Sequence, residues 1–172
     1  VEDPTLPKGK QVVEEDGSLG ETATRLIDGR VLITESCGTA AEIYDPTTGS
    51  FIPTGSMNAT RASKTATLLK DGRVLFAGGY NCARAGEDGI WATAEIYDPT
   101  TGTFSATASM TAGRVYHTAT VLADGRVLIA GGRPSGRDYA ANLRFLASAE
   151  IYDPTAGTFT ATGSMAGSRT FQ

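Results

Sequence analysis

The sequence predicts an all-β chain organised as three consecutive four-stranded antiparallel units, and three observations carry that prediction. The string Glu-Ile-Tyr-Asp-Pro begins at Glu42, Glu95 and Glu150, giving spacings of 53 and 55 residues, the range of tandem arrays rather than of a simple globule. An Asp-Gly pair recurs at Asp28-Gly29, Asp71-Gly72 and Asp124-Gly125, each between a Thr/Ala/Leu run and an Arg-Val-Leu run. The 172 residues include 21 Gly and 7 Pro, and Thr falls in short clusters, a composition that suits strands cut by turns better than helices.

Residues 1–20 do not match the repeat. Pro4, Pro7 and the run Glu14-Glu15-Asp16-Gly17 suggest an extended N-terminal arm with one tight turn, either a terminal segment lying on the array or a strand that completes an unfinished unit. The units then occupy 21–60, 61–113 and 114–168. The last residues, Ser168 to Gln172, match Gly113 to His117 in register, so 169–172 open a further unit.

Within each unit the Asp-Gly pair is a two-residue hairpin signal joining a first and a second strand. Ala66, Thr67, Ala119 and Thr120 in the first strand are small, as crowding near a common axis requires. The second strand, Val74 to Ala77 or Val127 to Ala130, is apolar throughout, which predicts burial on both faces. A third strand carries Ala94-Glu95-Ile96-Tyr97 and stops at Asp98-Pro99-Thr100-Thr101-Gly102, where Pro presets φ and Gly accepts the left-handed region. The fourth starts near Phe104 and ends before Met110. Each unit is then one blade of a propeller.

Gly78-Gly79 with Tyr97 and Phe104, and Gly131-Gly132 with Tyr152 and Phe159, resemble the kelch repeat, although Phe stands where that family usually has Trp. The first unit departs further, with Glu35-Ser36 in place of the Gly pair before Tyr44 and Phe51 and a shorter connection to the third strand. The wording DGRVLIAGG and AEIYDPTTGTF resembles bacterial kelch proteins of the secreted kind, over about residues 21 to 172. The resemblance implies a kelch-type β-propeller with three blades per chain, and a secreted, periplasmic or cell-surface location. Val1 stands where Met would, and no basic and apolar leader precedes Pro4, so any targeting peptide was removed or never included.

Composition excludes several classes. Hydrophobic residues make up 40% and charged residues 20%, with a mean hydropathy of -0.14, as in a folded soluble domain. No apolar run approaches the roughly 20 residues of a membrane helix. A net charge of -4 and a pI near 5.0 provide no basic field for nucleic acid.

Propellers close with about four to eight blades, so three blades make a partial ring that needs completion. An open blade face of roughly 400 Å² forgoes on the order of 10 kcal/mol at about 25 cal/mol per Å², comparable with a whole domain's stability. The expected partner is a second copy, giving a six-bladed homodimer, or the remainder of a longer propeller chain.

Candidate functional residues divide into repeated and unrepeated ones. Arg61, Arg114 and Arg169 follow Met57, Met110 and Met165 by four residues, and either hydrogen-bond a turn or pair with a repeated acid such as Glu42, Glu95 or Glu150, or else ring an anionic ligand. Lys64 and His117 align at the start of the first strand, and with the three Arg they are expected at the mouth of the central channel, as solvated polar residues or, for His117, in a ligand-binding or acid/base role. His117 is the single His, so a zinc cluster does not assemble, and no metal or cofactor is implied. Cys37 and Cys82 follow second strands of neighbouring blades, at the same end, as two free thiols or a disulfide. The inserts between second and third strands vary, as binding loops do. That of the middle blade holds Tyr80, Arg84 and Trp91, and that of the third Arg133, Arg137, Tyr139 and Arg144. Aromatics mixed with Arg suit a protein or glycan partner, unless Trp91, Leu143 and Phe145 only pack the loops onto the ring.

Three functional classes follow. The first is a non-catalytic module that binds through these loops. The second is the propeller part of a secreted copper-radical oxidase of the galactose or glyoxal oxidase type, whose copper needs two His, two Tyr and a Cys cross-linked to Tyr. Against that requirement the chain sets His117, Tyr80, Tyr116 and Tyr139. The third is a structural subunit whose edges join head to tail into rings or filaments.

Overall fold

The computed structural model of the chain describes residues 21–83, 89–134 and 145–168; the N-terminal arm and residues 169–172 lie outside them. These residues form twelve strands: β1 (Thr22–Arg25), β2 (Val31–Thr34), β3 (Ala41–Asp45), β4 (Ser50–Pro53), β5 (Thr65–Leu68), β6 (Val74–Ala77), β7 (Ala94–Asp98), β8 (Thr103–Ala106), β9 (Thr118–Val121), β10 (Val127–Ala130), β11 (Ala149–Asp153) and β12 (Thr158–Ala161). They pair antiparallel in sequence order into three four-stranded sheets. The first strands β1, β5 and β9 lie side by side, so each sheet presents its first strand to a shared centre and its fourth to the outside.

The turn between first and second strands is longer than the Asp-Gly signal predicts. Leu69 donates its N–H to the carbonyl of Arg73 and Gly72 donates to Leu69, leaving a three-residue loop of Lys70, Asp71 and Gly72; Leu26 with Arg30 and Leu122 with Arg126 repeat it. A two-residue type I′ turn needs φ > 0 at both central residues, and here Gly72 (φ 90°) supplies it while Asp71 does not. The Asp instead fixes the turn by accepting the Arg N–H two residues on, as Asp71 does from Arg73 at 3.1 Å.

Each blade has two apolar faces. In the middle blade Val74, Phe76 and Tyr97 pack against Leu26, Leu32, Ile43 and Met57 of the first. Its opposite face, Leu69, Leu75, Ile96 and Met110, packs against Val127, Ile129 and Tyr152 of the third. Burial of the second strand on both faces therefore holds for β6, whose four residues are all buried. In β2 and β10 it alternates, because each has a described neighbour on one side only. Facing pairs Tyr44–Phe51, Tyr97–Phe104 and Tyr152–Phe159 join the third and fourth strands, with ring centroids 4.8–4.9 Å apart. The Tyr hydroxyl then crosses to the preceding blade: Tyr97 hydrogen-bonds Thr54 at 2.8 Å and Tyr152 hydrogen-bonds Thr107 at 2.9 Å.

Candidate functional site

The connections between second and third strands and the linkers between blades meet at one end of the array, and the candidate residues concentrate there. Cys37 and Cys82 are disulfide-bonded, with Cα atoms 5.5 Å apart and a sequence separation of 45. The bond ties the first blade's connection to the second's. Beside it Tyr80 bridges both Ala62 of the incoming linker and Ile90, and the Asn81 N–H donates to Gly89, so the described part of the middle insert is a short extra ladder. Closing a loop of this length restricts the unfolded chain by about 4 kcal/mol in the chain-entropy treatment. Reduction, or Cys82→Ser, is accordingly expected to lower unfolding free energy in urea by about 3 kcal/mol; an unchanged midpoint would contradict that.

Arg61 and Arg114, expected at the channel mouth, are instead enclosed within their blades. Arg61 Nε donates to Glu95 at 2.8 Å, and its other nitrogens reach the carbonyls of Gly78 and Thr93 and the Thr93 hydroxyl. Glu95 also accepts the N–H of Asn58 at 2.7 Å. Arg114 repeats this with Glu150 at 2.7 Å and with the carbonyls of Gly131 and Ser148, while the Thr111 N–H donates to Glu150. The pair therefore latches the linker entering each blade to that blade's second and third strands. Its Glu also satisfies a linker N–H, a backbone acceptor role the sequence reading missed; the fixed Met-to-Arg spacing was its only visible trace.

Lys64 and His117 are likewise buried, each 6% exposed, at the inner junctions between blades. Ser63 (φ 54°) and Tyr116 (φ 55°) hold the left-handed region just before them and swing each following side chain under the preceding blade. Lys64 donates to the carbonyl of Glu35 at 2.9 Å, at the end of β2. His117 lies under Gly78, at the end of β6, and its Nε2 contacts the Thr65 hydroxyl at 3.0 Å. Burial, aided by the Arg61 charge and opposed by Glu21, lowers the Lys64 pKa to about 8.

Burial chiefly, with the Arg114 charge adding, lowers the His117 pKa to about 3. The unfolded chain takes up this proton near pH 6.5, so the neutral ring's contribution to stability is complete above that pH and is lost as pH falls toward 3. Stability at about pH 4.5 is expected to fall below that at neutral pH by roughly 2–3 kcal/mol through this group. His117→Gln should remove that part of the difference; identical pH profiles for the two chains would contradict it.

Of the loop candidates, Tyr80 is half-buried and Arg133 is buried where its backbone pairs with Val115. Trp91 is built into the packing. Its indole N–H donates to the Thr60 carbonyl at 2.8 Å and the Arg61 guanidinium carbon lies 5.9 Å from its ring centroid. Arg84, Arg137, Tyr139, Arg144 and Arg169 lie outside the described residues. With both cysteines in one disulfide, neither is free for a thioether link to Tyr. Among the described residues, no three His, Cys, Asp or Glu gather to hold a metal ion. A cavity of about 360 Å³ at the opposite end, lined by Lys70, Asp71, Asp124, Arg126, Asp153 and Thr155, is edged by charges already engaged, such as Arg126 with Asp124 at 2.7 Å.

Three antiparallel four-stranded sheets, stacked face to face around their first strands, define a partial β-propeller. Among solved structures the chain is similar to that of YjhT, with a TM-score of 0.70 and 17% identity over 87% of this chain and 52% of that one. The chain thus spans about half the length of the YjhT chain, and the likeness speaks for the fold alone. No protein-family model and no curated protein matches the sequence.

Proposed function

We propose that the chain is a non-catalytic, kelch-type propeller module of an exported bacterial protein, that it binds a protein or glycan through the connections between second and third strands, and that a second copy completes its ring as a six-bladed dimer. Support for the kelch assignment comes from the Gly pairs that close β6 and β10 and from the Tyr–Phe pairs of the third and fourth strands. The disulfide suits an oxidising compartment.

One observation carries the binding reading. Two adjacent connections are joined by the disulfide and stiffened by the Tyr80 bridges, which presents the variable insert from a rigid base. Trp91→Ala would disturb that base, so the test uses Arg84, Arg137 and Tyr139. Native chain and the triple Ala variant are applied to immobilised glycan and peptide arrays, with circular dichroism as the folding check. The expected result is binding by the native chain that weakens at least tenfold in the variant; no binding by the native chain, or equal binding by both, would refute the proposal.

A further inference from the structure

The two internal junctions show what an outer blade face is shaped to meet. On the trailing face of each blade, Leu26, Leu32, Ile43 and Met57 in the first, and Leu69, Leu75, Ile96 and Met110 in the second, are no more than 5% exposed beneath the next blade. The same positions in the third blade are Leu122, Leu128, Ile151 and Met165, and all four are only half-buried. Leading faces mirror this. Val74, Phe76 and Tyr97, and Val127, Ile129 and Tyr152, are buried to 1% or less, whereas Val31, Ile33 and Tyr44 of the first blade are half-buried. Thr162 occupies the register position from which Thr54 and Thr107 bond the Tyr of the following blade.

From this we infer that copies of the chain associate head to tail, the Leu128–Ile151 face of one seating on the Val31–Tyr44 face of the next, with Thr162 bonded to Tyr44 across the contact. The partner is a second copy because the chain already carries both halves of the contact and uses that combination twice internally. The contact is heterologous: each copy gives a different surface. This inference rests on the proposed completion of the ring and adds which surfaces meet.

The test uses the full chain with Val31→Glu, which charges only the leading face, and with Leu128→Glu, which charges only the trailing one. Light scattering of the native chain at micromolar concentration is expected to give twice the 17.9 kDa chain mass. Each variant alone should show a twofold fall in mass with an unchanged circular dichroism spectrum. Mixing the two should restore a dimer, since one Val31 face and one Leu128 face remain intact between them. A native monomer, native-like complexes of both variants alone, or a mixture that stays monomeric would overturn the inference. A native mass climbing with concentration, still capped by the variants, would support the contact while refuting the closed six-bladed ring. Should either Glu variant not fold, Ile33→Lys and Ile151→Lys make the same comparison.

Discussion

Gly132→Val is expected to prevent folding. At φ 91° the residue is in the region L side chains rarely adopt, and a Cβ there would lie 2.6 Å from the Val115 carbonyl and 3.0 Å from His117 Cβ. Neither neighbour can yield, since Val115 pairs with Arg133 and His117 is wedged under Gly78. Strain of about 1–2 kcal/mol and a backbone clash of several more together rival the stability of a whole domain. Gly29 supplies the control. Its φ is also 91°, but nothing lies within 4 Å of its missing Cβ, so Gly29→Ala should cost only about 1 kcal/mol. Urea denaturation of both variants checks the contrast; equal effects would show that the clash at Gly132 carries no cost.

Arg61→Met is expected to destabilise the chain by about 3–5 kcal/mol, because it strands the Glu95 carboxylate where both side chains are 2% exposed. It also removes the donors from the carbonyls of Gly78 and Thr93. Adding Glu95→Gln should recover part of that loss, since a neutral amide can still accept the Asn58 N–H without a buried charge. Thermal and urea unfolding of the two single variants and the double one measure the coupling. A double variant as unstable as the sum of the singles would mean that the pair does not act as a unit.

Periodicity made most of this fold legible. The Glu-Ile-Tyr-Asp-Pro repeats located β3, β7 and β11, and the apolar runs after each Asp-Gly located β2, β6 and β10. What escaped were properties that depend on a neighbour. Burial of β2 differs from that of β6 although their sequences are alike, because one has a described blade on one side and the other has two. His117 and Lys64 read as solvated polar residues, yet the preceding blade covers them, and only the left-handed Tyr116 and Ser63 direct them there. The Arg-to-Glu latch was half legible: the spacing exposed the residues, but the linker N–H groups that Glu95 and Glu150 accept have no side-chain signature. Cysteine spacing left the thiols open as free or joined, since a bridge depends on a Cα separation that sequence does not encode.

The inner junctions make the blades non-interchangeable. Lys64 fits beneath a strand that is followed by Glu35-Ser36, and His117 beneath one that is followed by Gly78-Gly79. Tandem copies invite recombination, but a crossover that excised the middle blade would set an imidazole against the Glu35 end, where an ammonium now satisfies the carbonyl. The array thus carries an address at each joint, and shuffling its order would lower stability even though every blade remained intact.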